Sequence, residues 1–381
     1  MPSANEMGSG KSSECFSIGQ SAQERGFTHV PERYQVPQSQ RPCWDSPQAE
    51  VTVIDLAGLR EGSAKRSVVI DKIRQACSSL GFFQVVNHGI EQSVLDKALA
   101  AADGFFHLPA EEKLKFMSSD VHKPVRYGTS IKDGVDRIQF WRIFLKTYAH
   151  PLKDWLQFWP HNPPNYRGLC HLRCLSGSCS SENKGKADAR EDMGVFSTEV
   201  QKLAPELAGA ITESLGLGPN YLTAKMVEGM QVIASNCYPP CPQPCHTLGL
   251  PPHSDYSCLT IILQSSQGLE IKDMEDGGSW KLVPEIKGAL QVHVGDHFEV
   301  LSNGLYKSVV HRAILNGERK RISIASFHSL GMDEIMEPAP ELADEDHPKA
   351  YKGSSFRDFL NFLSTNDIGQ GKISFLATLR V

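Results

Sequence analysis

The spacing of apolar residues changes about halfway along this 381-residue chain. In the first half it is helical. Val69, Ile73, Ala76 and Leu80 fall on one face of a helix over residues 63–80, which Gly81 can end. Val94, Leu95, Ala98, Leu99 and Ala102 mark a second helix starting at Glu91, and Pro109 followed by Glu111 and Glu112 opens a third. Phe196, Val200, Leu203, Leu207, Ile211 and Leu215 predict a long amphipathic helix closed by Gly216, with a shorter one over 219–228. Residues 51–56 and 82–86 are β-branched or aromatic runs of strand length, the second closed by the turn Asn87-His88-Gly89.

From Gln231 the pattern becomes short β-runs split by turn residues: 232–238, 257–263, 269–272, 280–283, 290–294, 306–313 and 321–327. Runs of that length and spacing argue for a barrel or sandwich. Helices first and strands second predict a mainly β core with flanking helices. Phe356, Leu360 and Leu363 predict a closing helix over 354–363, while residues 367–381 give no clear pattern. The segment 128–166 is rich in aromatics, including Phe140, Trp141, Phe144 and Tyr148, and reads as a strand and loop along one side of a pocket.

The expected organisation is a disordered polar tail (1–24), an N-terminal mixed region (25–167), a flexible loop (168–193), a β-core (194–365) and a C-terminal tail (366–381). Within it, residues 25–37 and the Pro/Gln/Ser stretch after them read as an extended arm. The loop rests on composition: its Ser, Lys, Gly, Asp and Glu cannot bury enough apolar surface to order it. Cys170, His171, Cys174 and Cys179 inside it lack the paired spacing of a zinc knuckle.

Hydrophobic content of 40% and charged content of 22% are ordinary for a globular chain, and a net charge of -5 gives no reason to expect nucleic acid or an anionic membrane surface. No apolar run is long enough to span a bilayer, and no secretory signal is visible. Ten cysteines without a paired framework read as reduced thiols, so the expectation is a cytoplasmic, monomeric protein.

The chemistry gathers at Pro251-Pro252-His253-Ser254-Asp255. In extended chain, His253 and Asp255 leave one face and Ser254 the other. A remote histidine would complete the two-His, one-carboxylate set that suits non-haem Fe(II), and His311 is the candidate. Arg321 and Ser323 are also two apart. A guanidinium fork and a hydroxyl on one face suit a carboxylate, so a small dicarboxylate co-substrate is implied. The same triad could hold zinc, but no spare Glu accompanies it as a hydrolytic base. His88, His246 and His297 read as structural.

These residues closely resemble the plant-type 2-oxoglutarate- and Fe(II)-dependent dioxygenases. The resemblance runs over roughly residues 25–365. It includes Asn236-Cys237-Tyr238-Pro239-Pro240, Leu250-Pro251-Pro252, Gly81-Phe82-Phe83-Gln84-Val85-Val86-Asn87-His88-Gly89 and Leu301-Ser302-Asn303-Gly304. It implies a double-stranded β-helix (jelly-roll) core, with iron on His253, Asp255 and His311. It implies 2-oxoglutarate held by Arg321 and Ser323 at its distal carboxylate and by Tyr238 and Asn236 near the metal, O2 as the other co-substrate, and ascorbate as reductant. The expected activity is hydroxylation or desaturation of a small phenolic metabolite, best a flavanone, with Phe327, Tyr127, Phe140 and Trp141 as pocket residues. Residue 297 more often carries Gln in this family, and Ala234 stands where some of its flavonoid enzymes use Lys. Alternatives are hydroxylation or demethylation of salicylate, a coumarin, an alkaloid or a gibberellin, or a catalytically silent ligand-binding homologue.

Overall fold

The computed structural model describes residues 22, 24–43, 45–130, 138–167, 192–366 and 374–381. The expected tail 1–24 apart from Ala22 and Glu24, the Cys/His cluster and nearly all of the expected loop 168–193 lie outside these residues; Ala22 is buried and Glu24 pairs with Lys113. The last two positions of that loop, Asp192 and Met193, already belong to the long helix.

Two sheets make the core. The larger runs β1 (Val53–Asp55), β2 (Phe82–Val86), β10 (Leu290–Val294), β7 (Leu259–Gln264), β12 (Arg321–Ser329), β5 (Met230–Tyr238), β4 (Ile143–His150) and β3 (Val125–Gly128). The smaller runs β6 (Leu250–His253), β11 (His311–Ala313), β8 (Leu269–Asp273) and β9 (Ser279–Leu282). Pairing is antiparallel except between β1 and β2. Strands far apart in sequence lie side by side in both sheets, as a jelly roll requires.

Strand parity divides the large sheet into two faces. Ile233 and Cys237 of β5, Ile322 and Ile324 of β12, and Ile143 and Leu145 of β4 enter the main core. There they meet the helices Ser63–Ser79, Gln92–Phe106 and Asp192–Ser214. The alternate residues face the interior between the sheets. No helix among the described residues is long and apolar enough to cross a membrane.

Gly81 ends the Ser63–Ser79 helix at φ 66°, and a Cβ there would stand 1.9 Å from the Lys307 carbonyl oxygen. Only glycine fits, and the close approach ties the helix end to the chain entering β11. The expected strand over 306–313 shrinks to His311–Ala313. Upstream of it the backbone N–H groups of Tyr306, Lys307 and Ser308 donate to Ser302 Oγ, Cys77 O and Glu299 Oε2, so no ladder forms. Among the elements that escaped the pattern are the strand Val125–Gly128, the helix Asp296–Leu301, whose residues are all buried, and the helix Phe375–Leu379 in the expected tail. The six described cysteines are free thiols.

Candidate active site

β6 and β11 lie side by side, and His253 and His311 face each other directly in register. Asp255 lies two residues beyond the end of β6, in a loop. The expected unbroken strand through His253 and Asp255 is therefore corrected: the loop, not strand alternation, aims the carboxylate. The loop is held by backbone bonds to the entry of the Asp296–Leu301 helix. Asp296 N–H donates to Asp255 O (2.9 Å), His297 N–H to Ser257 O (3.1 Å) and Gly295 N–H to Cys258 O (3.0 Å). A Cβ at Gly295 would lie 2.1 Å from Ser257 O, so this close contact also requires glycine.

The outcome is a cluster in which one ligand atom from each of His253, Asp255 and His311 lies within 4.8 Å of the others. Asp255 Oδ1 is 3.6 Å from His253 Nε2 and 3.7 Å from His311 Nε2. Each imidazole turns Nδ1 to a backbone carbonyl, His253 to Pro251 O (2.8 Å) and His311 to Val309 O (3.1 Å), leaving Nε2 for the centre. Burial pushes both imidazoles down to about 4, with the His311 charge adding to the effect at His253. Burial works to raise the Asp255 carboxyl, but His311, His293 and His253 outweigh it and hold it well below its usual range. Two neutral imidazoles and one carboxylate on one side of a point fit Fe(II) and leave its remaining positions open. An iron held by these three residues would supply the oxidising chemistry, with 2-oxoglutarate and O2 as co-substrates.

A cavity of about 300 Å³ opens beside the cluster. The inward face of the large sheet supplies Phe144, Lys146 and Tyr148 from β4, Ala234 and Asn236 from β5, and Phe327 from β12. The C-terminal part closes it with Phe356, Phe359 and Phe375. Parity corrects the other expected pocket residues. In β3 it turns Tyr127 into the helix-side core and Arg126 into the cavity. Phe140 and Trp141 precede β4 and do not line this cavity: Phe140 packs with Val36 and Leu248, and Trp141 packs with Tyr34, its indole N–H donating to Pro240 O.

Arg321 and Ser323 stand opposite Tyr238 and Asn236 in the β12–β5 register, so the four share one strip of sheet. Asn236 lines the metal cavity and accepts from Arg142 Nη1 (3.0 Å); Arg321 and Tyr238 line a neighbouring hollow of about 190 Å³. Arg321 is 5% exposed, donates to Ser266 O and Gln264 Oε1, and lies over the Tyr238 ring. No carboxylate pairs with it among the described residues.

Three groups near the centre were not expected. His293 of β10 lies 3.6 Å from Asp255 Oδ2. Tyr256 joins the metal loop to the closing helix through Ser354 Oγ and Ser355 O, and its ring meets His297 and Phe359 at 4.4 Å each. Lys146 is the register partner of Ala234. The one signal in sequence was parity: Lys146 shares that of Phe144 and Tyr148. His88 bridges a turn, with Nε2 at Gly288 O and Nδ1 accepting from Ile90 N–H.

The family model described as the 2OG-Fe(II) oxygenase superfamily matches residues 228–330, and that for the N-terminal part of non-haem dioxygenase in morphine synthesis matches 51–165. A protein of Oryza sativa subsp. japonica named 2-oxoglutarate-dependent dioxygenase 21, chloroplastic, is 49% identical over 82% of this chain and 86% of its own length. Flavanone 3-dioxygenase 3 from the same organism is 45% identical over 91% of this chain and 98% of its own. The crystal structure of JOX2 in complex with 2OG, Fe and JA matches with a TM-score of 0.70 at 28% identity, covering 90% of this chain and 91% of that one.

Proposed function

This chain belongs to the 2OG-Fe(II) oxygenase superfamily, a 2-oxoglutarate-dependent dioxygenase, and we propose that its substrate is a flat phenolic small molecule, first of all a flavanone. The observation that carries the substrate is the cavity beside His253, Asp255 and His311: aromatic on most sides and cationic at Arg126, Arg142 and Lys146. Phe327 offers a ring face to a planar substrate. Lys146, opposite Ala234, brings an ammonium to the strip of sheet where some flavonoid enzymes of the family carry Lys, and here it meets a phenolic oxygen.

In this reading His253, Asp255 and His311 hold Fe(II). Arg321 and Ser323 take the distal carboxylate of 2-oxoglutarate, which supplies the anionic partner that the buried guanidinium, bonded only to neutral oxygens, lacks among the described residues. Tyr238 and Asn236 flank the end nearer the metal. The aromatic walls keep water from the reacting carbon. The overall reaction gives succinate and carbon dioxide with hydroxylation or desaturation of the substrate.

The second reading is a small aromatic carboxylic acid such as salicylate, favoured by the same three cations. The test is succinate formation by the full chain with Fe(II), 2-oxoglutarate and ascorbate, against flavanones and aromatic acids in parallel. Turnover with flavanones alone supports the first reading, and turnover with acids alone replaces it. Mass spectrometry then distinguishes gain of one oxygen from loss of two hydrogens. For location, we propose the cytoplasm. Import of a full-length fluorescent fusion into chloroplasts, as the name of the 49% identical relative suggests, would overturn that.

A further inference from the structure

The two oxygens of Asp255 face opposite ways. Oδ1 points to the metal-facing nitrogens of His253 and His311, while Oδ2 is 3.6 Å from Nδ1 of His293. His293 is fully buried (0% exposed). Among the described residues neither of its ring nitrogens has a hydrogen-bond partner, and neither has Asp255 Oδ2. Two orphaned buried groups thus meet just beyond hydrogen-bond length, where a small movement would join them. The ring has little freedom to look elsewhere. β10 is clamped between β2 and β7, and His293 lies against Phe82 (5.1 Å) and edge-on to His311 (4.5 Å).

We infer that His293 is a positioning residue for the metal centre: its Nδ1–H donates to Asp255 Oδ2 and keeps that carboxylate on the metal through Oδ1 alone. The two ligand histidines already have their outer partners, Pro251 O and Val309 O. His293 does for the carboxylate what those carbonyls do for the imidazoles. The consequence is one of coordination number. An aspartate turned to bind through both oxygens would occupy a position that a chelating keto acid or O2 needs. The inference rests on the metal-centre reading above.

Anaerobic titration of the metal-free full-length chain with Mn(II) tests both in order. A wild-type protein that binds no Mn(II) refutes the metal-centre reading itself. With wild-type binding established, His293→Leu, which keeps bulk and loses the donor, should weaken Mn(II) binding about 10- to 100-fold. His293→Asn, whose amide nitrogen stands where Nδ1 does, should recover affinity to within a few-fold of wild type. Melting of the metal-free variants shows whether each is folded. Wild-type affinity in His293→Leu, or equal weakness in a folded His293→Asn, would overturn the inference. If His293→Leu does not fold, His293→Gln replaces it: its amide stands at the Nε2 position, so it should bind more weakly than His293→Asn. Equal binding by those two would also overturn it.

Discussion

Lys146 shows how much a single side chain depends on its neighbours. Burial, then the charge of Arg126, brings its ammonium down to about 7. An acidic substrate group facing it favours the charged form, so binding should weaken as pH rises through about 7. The KM for a phenolic substrate should rise above that pH, while Lys146→Arg, which stays charged, should keep it level. A KM that is flat with pH in the wild type would remove Lys146 from recognition. Gly295 makes a different point at the same scale. Gly295→Ala sets a methyl against Ser257 O, so the loop carrying Asp255 must shift. Thermal unfolding should show a loss of about 1–3 kcal/mol, accompanied by weaker metal binding. The glycine did not announce this in the sequence, because the atom it meets is far away along the chain; for the lysine, strand parity was the one signal.

Among the elements, the short helix Phe375–Leu379 has the largest consequence for its size. Ser374 caps it, accepting from Ala377 N–H. Lys352 N–H donates to Leu379 O and Val381 N–H to Ala350 O, pinning its C-terminal end to residues 350–352. Phe375 meets Tyr256, Phe359 and Phe362, and so becomes part of the cavity wall. Because Phe375 is half-buried, Phe375→Ala should cost less stability than the about 3–5 kcal/mol of a core phenylalanine. It should raise the KM for substrate more than that for 2-oxoglutarate, and steady-state kinetics against each would show the split. The helix was invisible to periodicity because five residues hold little more than one turn. The closing helix Phe356–Thr365 was legible, since ten residues repeat the pattern and Ser355 with Asp358 forms a capping box.

At the scale of the molecule, a metal held by His253, Asp255 and His311 would link the two sheets. His253 and His311 belong to the smaller sheet, and Asp255 sits on the loop leading into β7 of the larger. A ligand that binds only this folded arrangement stabilises it by mass action, by about 2.7 kcal/mol at a hundredfold excess over Kd. Adding Mn(II) to the metal-free chain should therefore raise the melting temperature by several degrees, and a chelator should reverse it. His253→Ala should lose most of that increment while melting near the wild type without metal. An equal increment in the variant would place the metal elsewhere.

The sequence by itself determined which segments are helix or strand where the repeat is long enough, as in Ser63–Ser79, Asp192–Ser214 and the strands Phe82–Val86, Met230–Tyr238, Leu259–Gln264, Leu290–Val294 and Arg321–Ser329 of the large sheet. It also determined which residue types could form an iron and dicarboxylate site, because His253, Asp255, His311, Arg321 and Ser323 carry that chemistry wherever they lie. Only the tertiary structure decided which face each strand residue presents. Tyr127 fell to the core and Arg126 to the cavity because β3 pairs with β4 in one register and not the next. The structure alone also brought His293 behind Asp255 and the C-terminal phenylalanines over the cavity. Those contacts join residues far apart in the chain, and local periodicity holds no record of a partner it never approaches until the sheets close.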